Sequence, residues 1–140
     1  MKQSPSRIFF KKPHKPRDTY LFSLDNKTCF VDRGQYGLKA VKSGKLSFKQ
    51  IEAGRKTIRR AISKSGNVFI KTFTNVSLTK KGLGSRMGKG KGNHNKWICP
   101  IKCGQIIYEI SGINYFKVLI ALRKASDKMP FPCTIVKLLY

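Results

Sequence analysis

Between Lys80 and Lys96 the chain reads KKGLGSRMGKGKGNHNK, with five glycines, six lysines or arginines and no acid. Glycine opens backbone conformations closed to other residues and lets the chain approach another surface closely. Cations at that density repel one another and bring almost no apolar surface. The segment therefore cannot be core, and the fold has to be built on either side of it. Long loops inside compact domains are functional or disordered. A cationic glycine loop with no counter-charge of its own is suited to lie against phosphates.

The rest of the chain can build a core. At 140 residues with 40% hydrophobic content, one domain is expected, burying about two-thirds of its unfolded surface. Thirty Lys and Arg against six Asp and Glu give a net charge of +24, with a pI near 10.4. Such an imbalance is the electrostatic footprint of nucleic-acid binding, because cations that meet a polyanion release its condensed counterions. Self-repulsion argues against a merely solvated positive surface. The longest apolar run, Val118 to Leu122, is far short of the roughly 18 residues of a membrane span. No secretory apolar region is present either.

Residues 1–18 read as a basic extended tail that orders on RNA. Positions 1–17 hold six cations, three prolines and no acid, and the prolines prevent a regular helix. Residues 19–140 read as one α+β RNA-binding domain with the finger loop at 80–96. A β-hairpin is expected over 19–32, with Tyr20, Phe22 and Leu24 alternating, Asp25-Asn26 turning and Cys29 to Val31 returning. A short strand follows at Leu38 to Val41.

The first helix has the clearest start. Ser47 and Gln50 form a capping box, Leu46 staples against Ile51, and Ile51, Ile58, Ala61 and Ile62 share one face. Gly66 stops it. Its other side carries Lys49, Arg55, Lys56, Arg59, Arg60 and Lys64, offset only by Glu52. Like charges stacked four apart destabilise an isolated helix, so this side reads as a phosphate rail.

Strands are expected at Val68–Phe73 and Val76–Thr79. Trp97–Ile101 and Ile106–Ile110 form an expected hairpin around Lys102-Cys103-Gly104. A second helix starts at Asn114, with Val118, Leu119, Leu122, Ala125 and Met129 inward and Pro130 as its end. A last strand covers Thr134–Leu139. The order predicts a mixed sheet with two helices rather than a doubly wound fold.

The motifs of catalysis are missing. No alignment of the finger glycines gives G-x-x-x-x-G-K-[ST], and G-x-G-x-x-G fails at Met87. Six scattered acids supply no paired carboxylates, and no nucleophile elbow occurs. Cys29, Cys99, Cys103 and Cys133 contain no C-x-x-C. Cys99 and Cys103 would need a distant partner such as His94 to close a zinc set. They read instead as reduced thiols packed as small hydrophobes. The chain is not expected to be an enzyme, and no metal or cofactor is expected. Phe9, Phe10 and Tyr36 are candidates for stacking on bases, whereas Trp97 reads as core.

RMGKGKGN at Arg86 to Asn93 resembles, without gaps, the signature of the bacterial-type large-subunit ribosomal protein number sixteen family, shared with a ten-e branch in archaea and eukaryotes. QIEAGRKTIRR at Gln50 to Arg60, YGLKA at Tyr36 to Ala40, IIYEISGI at Ile106 to Ile113 and ASDKMP at Ala125 to Pro130 are similar to the family in the same register. So is the tail with Phe10, Lys12, His14 and Lys15. The resemblance implies an α/β-hammerhead-like domain and a structural place in the large ribosomal subunit. Its partners would be large-subunit rRNA, A-site and possibly P-site tRNA, and neighbouring ribosomal proteins.

Carried over by residue, Arg7, Lys11, Lys12, His14, Lys15, Arg17, Lys49, Arg55, Lys56, Arg59, Arg60 and Lys64 would bind rRNA. Arg86, Met87, Gly88, Lys89, Gly90, Lys91 and Gly92 would reach tRNA near the peptidyl transferase centre. A free-standing nucleic-acid-binding protein or RNA chaperone is the alternative. The chain departs from the family at Phe73-Thr74-Asn75, Arg33, Pro13 and Pro16. Abundant Phe, Ile, Lys and Asn suggest an A+T-rich organelle genome. The match begins near residue 4 or 5, leaving no room for a cleavable leader. A mitochondrial ribosome in the matrix is therefore expected, with a plastid or the bacterial cytoplasm as the alternative.

Overall fold

A computed structural model describes residues 4–7, 11–14, 23–63 and 65–138. The elements run β1 (Tyr36–Ala40), β2 (Gly44–Ser47), α1 (Phe48–Ile62), β3 (Asn67–Ile70), β4 (Val76–Lys80), β5 (Asn93–Ile101), β6 (Ile106–Ser111), α2 (Tyr115–Ser126) and β7 (Cys133–Lys137). They form a four-stranded sheet of order β3-β6-β1-β7 and a three-stranded sheet of order β2-β5-β4. The fold is α+β, as expected, but the sheet is divided in two. Every pairing between these strands is antiparallel. Parallel pairing among the described residues is an isolated bridge between Leu24 and Cys103.

α1 begins where the sequence says it should. The Ser47 backbone N–H donates to Gln50 Oε1 at 2.9 Å, and the Gln50 N–H donates back to Ser47 Oγ at 3.4 Å. This satisfies two of the donors that a helix start leaves orphaned. Leu46 and Ile51 are both fully buried. The helix ends on Ser63 at φ 55°, followed by Gly66 at φ 72°.

Ile51, Ile58 and Ile62 join Val118, Ala121, Leu122 and Ala125 of α2 and Leu38, Tyr108 and Ile110 of the larger sheet in one core. Gly54, in the middle of α1, costs about 1 kcal/mol of helix propensity relative to alanine. It is needed because a Cβ there would stand 2.5 Å from Tyr108 Oη. That hydroxyl donates to the Ile51 carbonyl at 2.7 Å, so the ring of β6 plugs into the helix at its one residue without a side chain.

Glu109 is the second polar anchor. It is completely buried and accepts from the backbone N–H groups of Asp32 at 3.2 Å, Arg33 at 2.8 Å and Gly34 at 3.0 Å. Lys71 Nζ lies 3.5 Å from the same carboxylate and donates to Asp32 at 3.2 Å. The segment before β1 is thereby fastened across the face of β6 opposite Tyr108.

Four expectations are corrected. β5 and β6 are not a hairpin: β5 pairs with β2 and β4, and β6 with β1 and β3. Both carry runs of buried residues, so each takes a neighbour on both sides and stands inside its own sheet. The chain changes sheets at Gly104, φ 89°, whose N–H donates to the Ala40 carbonyl at 2.8 Å. The described part of 19–32 is not a hairpin either. Asp25 turns the chain by accepting from the Thr28 N–H at 3.0 Å, and residues 26–30 are bends; Tyr20 and Phe22 lie outside the described residues. α2 ends at Ser126, four positions before Pro130, and Asn114 makes no side-chain cap. The strand expected at Val68–Phe73 stops at Ile70.

Candidate nucleic-acid interface

The finger is the tip of a β-hairpin. β4 and β5 pair as far as Lys80 opposite Asn93, so the loop proper is 81–92, and Asn93 to Lys96 belong to β5. Leu83 and Met87 are 97% and 94% exposed, so the loop has no packing of its own to hold it. Its path is set by backbone conformation. Gly88, Lys89 and Gly90 stand in succession at φ 95°, 53° and 85°. This left-handed turn needs glycine on both sides of a single lysine that bears the strain. At Gly92 the reason is different: a Cβ would stand 2.7 Å from the Lys80 carbonyl carbon.

The tail crosses the base of this hairpin. The Ser77 hydroxyl of β4 donates to the Lys11 carbonyl at 2.7 Å. Lys12 Nζ donates to the Lys91 carbonyl at 3.2 Å, and Lys91 Nζ to the Lys12 carbonyl at 3.3 Å. Lys91 Nζ also reaches the Pro13 carbonyl, and Lys81 Nζ the Gly88 carbonyl. The result is a concavity of about 770 Å³ lined by Lys12, Lys80, Lys81, Arg86, Lys89 and Lys91, with no carboxylate among the described residues of its wall. Ammonium groups that borrow backbone carbonyls in this way lack an anion of their own.

The structure thus brings Lys11 and Lys12 of the tail together with the finger, a convergence that nothing local in the sequence announces. Arg7 and His14 are exposed; Lys15, Arg17 and Lys64 lie outside the described residues. Lys80, Lys81, Ser77 and His94 join the site in the structure without belonging to the residues expected from the sequence. The signal for the two lysines was their place inside the cationic segment. His94 shares that place, whereas Ser77 carries no such signal.

On α1 the cations separate into two groups. Lys49, Lys56 and Arg60 are exposed, and at ~100° per residue they lie within about 40° of one another, opposite Ile51, Ile58 and Ile62. Arg55 is half-buried and engaged. Its Nε and Nη2 donate to the two oxygens of Glu52 at 2.9 and 2.6 Å. That hydrogen bond holds the Glu52 carboxyl below its usual range and raises the Arg55 guanidinium. Arg59 is exposed and donates to the Gly66 carbonyl at 3.1 Å. Burial pushes the Cys99 and Cys133 thiols up to about 11, which keeps them protonated and inert at neutral pH.

A small antiparallel core that projects an uncompensated cationic loop, braced by a basic tail, defines a protein built to receive a polyanion. The family model described as Ribosomal protein L16p/L10e matches residues 5–136. The chain is 44% identical over 133 residues to the large ribosomal subunit protein uL16 of Psychrobacter arcticus, covering 95% of each chain. It is 42% identical over 132 residues to the uL16 proteins of Acinetobacter baumannii and Buchnera aphidicola, covering 94% of each. The chain belongs to the ribosomal protein L16p/L10e family, a family of ribosomal structural proteins and not of enzymes.

Proposed function

We propose that the chain is a structural constituent of the large ribosomal subunit that binds large-subunit rRNA and helps position aminoacyl-tRNA near the peptidyl transferase centre. The observation that carries this reading is the concavity shared by Lys12 of the tail and Lys80, Lys81, Arg86, Lys89 and Lys91 of the hairpin, in a chain whose relatives are named as large-subunit proteins. Affinity comes from phosphate neutralisation and counterion release. The protein makes and breaks no bond.

In this reading residues 1–18 and 19–140 divide into a tail and a domain. The tail cations Arg7, Lys11, Lys12, His14, Lys15 and Arg17 lie on rRNA with Lys49, Lys56, Arg60 and Lys64. Arg55 and Arg59, engaged with Glu52 and Gly66, shape the edge of that face. Arg86 to Gly92 form the part nearest tRNA, and adjoining ribosomal proteins complete the site.

The relatives named above are bacterial, which favours a bacterial-type ribosome and, with it, the bacterial cytoplasm. These relatives give no support to the mitochondrial placement expected from the sequence.

Sucrose-gradient sedimentation of a tagged chain tests the proposal. Co-migration with the large subunit through a high-salt wash is expected. A chain that stays at the top of the gradient overturns the ribosomal reading and leaves the free-standing RNA chaperone. Lys89→Ala with Lys91→Ala is expected to weaken tRNA accommodation more than subunit incorporation. The reverse outcome makes the finger an rRNA anchor.

A further inference from the structure

Ser77 and His94 meet at the base of the finger, one from β4 and one from β5. Ser77 is 6% exposed. Its Oγ lies 2.7 Å from the Lys11 carbonyl oxygen and 2.7 Å from His94 Nδ1. Each of these separations requires a hydrogen between the two atoms. A carbonyl cannot donate, and a hydroxyl has a single hydrogen. Ser77 therefore donates to Lys11, and His94 Nδ1 donates to Ser77. The proton of the neutral imidazole is fixed on Nδ1, and Nε2 keeps a bare lone pair.

Trp97 limits the swing of the ring, with centroids 4.7 Å apart and planes at 43°. His94 is exposed, and among the described residues its one hydrogen-bond partner is Ser77. The result is an oriented acceptor on the residue after Asn93, itself in the lining of a concavity whose cations, Lys12, Lys80 and Lys91 among them, only donate. A phosphate oxygen satisfies the ammonium groups but not a lone pair. A group that satisfies both is a hydroxyl carried next to a phosphate, and in a nucleic acid that is the ribose 2′-hydroxyl, the group that distinguishes RNA from DNA.

We propose that His94 Nε2 accepts a hydrogen bond from a ribose 2′-hydroxyl of the strand gripped at the finger base, so that this point of the protein selects RNA over DNA. The assignment rests on the RNA-binding reading above and adds a discriminating contact to an otherwise sequence- and sugar-blind electrostatic surface. Ser77 is the positioning residue: it touches no ligand and fixes the tautomer.

The test uses the purified full chain with a ribo- and a deoxyribo-oligonucleotide of one sequence, titrated by fluorescence anisotropy at equal salt. Wild type is expected to prefer the ribo strand by about fivefold, the worth of one net hydrogen bond. His94→Phe keeps a ring against Trp97 and is expected to bring the ratio close to one by lowering ribo affinity. Binding without discrimination, or discrimination that survives His94→Phe, overturns this proposal alone. Binding to neither strand overturns the RNA-binding reading and this proposal with it. Independently of any variant, nitrogen–proton correlation spectra of the histidine-labelled chain are expected to show His94 protonated on Nδ1; the Nε2–H tautomer overturns the assignment.

Discussion

Gly54 and Gly90 are both fixed by structure, for opposite reasons. A methyl group at Gly54 would meet Tyr108 Oη at 2.5 Å and Met129 at 2.8 Å, whereas at Gly90 it would meet nothing within 4 Å. Gly54 sits in an ordinary helix and is held by its neighbours. Gly90 has no neighbours and is held by its own backbone, at φ 85°. The difference runs through the whole molecule. Around β6, polar groups are buried and partnered: Glu109 by three N–H groups and Lys71, Tyr108 by Ile51. Thr72 Oγ1 is the exception. Around the finger, polar groups are exposed and borrow carbonyls from each other. One region is complete by itself; the other has the form of half an interface.

The largest effect should come from emptying the carboxylate at the centre of the complete region. Glu109→Ala leaves Lys71 and three backbone donors without their buried acceptor, and losses of this kind cost about 3–5 kcal/mol. Urea denaturation should show this as a fall in midpoint large enough to leave part of the chain unfolded in buffer. A cost under about 1 kcal/mol would mean that water replaces the carboxylate, and that this face of β6 is as open as the finger.

The two glycines test the comparison head to head. Gly54→Ala gains about 1 kcal/mol of helix propensity but overpacks against Tyr108, at a cost of typically 1–3 kcal/mol. Because the Tyr108 hydroxyl and the Met129 methyl sit at 2.5 and 2.8 Å, the upper end applies, for a net loss of about 2 kcal/mol. Gly90→Ala should lose less than about 1 kcal/mol, since a loop with no packing shifts to relieve a strained φ. In RNA binding the order should invert, with Gly90→Ala the weaker binder at equal folded fraction. If both variants lose equal stability, the finger is packed in solution and the distinction fails.

What the sequence disclosed follows the same division. The capping box at Ser47 and Gln50, the inward isoleucines of α1 and the cationic loop were legible because each depends on residues a few positions apart. The pairing of β4 with β5 was not. Lys102-Cys103-Gly104 carries real turn chemistry, so Trp97–Ile101 and Ile106–Ile110 looked like its two arms. Two central strands that each demand two partners are a property of the assembled sheets, not of either segment. Glu109 was hidden for a similar reason: an acid in a strand reads as solvent-facing, and its partners lie 75–77 residues away. A visible sign was a lone carboxylate inside the apolar run Ile106 to Ile110. The meeting of Lys12 with Lys91, 79 residues apart, had no local sign.

Two charge reversals on α1 sharpen the boundary between the regions. Lys56→Glu with Arg60→Glu should reduce the slope of log affinity against log salt by about 1.4–1.8 if each cation neutralises one phosphate, with little change in stability. Arg55→Glu should change the slope less, because that guanidinium is committed to Glu52. A change of about 0.7–0.9 from Arg55→Glu, the share of one neutralised phosphate, would place Arg55 on the RNA-facing side despite its partner.

The smallest effect belongs to Glu52 itself, and it decides on which side of the boundary the Arg55 pair falls. Arg55 holds the Glu52 carboxyl below its ordinary value near 4.5 in the folded state. A group lowered by folding contributes stability above its unfolded value, and that contribution is lost as the pH falls through the folded one. Wild type should therefore exceed Glu52→Gln in stability at neutral pH, with the gap closing as the pH falls below 4.5. The pair is partly open to solvent, so screening limits the gap to about 0.5 kcal/mol. Paired urea titrations at pH 7 and pH 3.5 measure the difference. A gap above 2 kcal/mol at neutral pH would join the Arg55–Glu52 pair to the buried network of Glu109. No gap at any pH would free Arg55 as a phosphate ligand, so that it stands with Lys56 and Arg60.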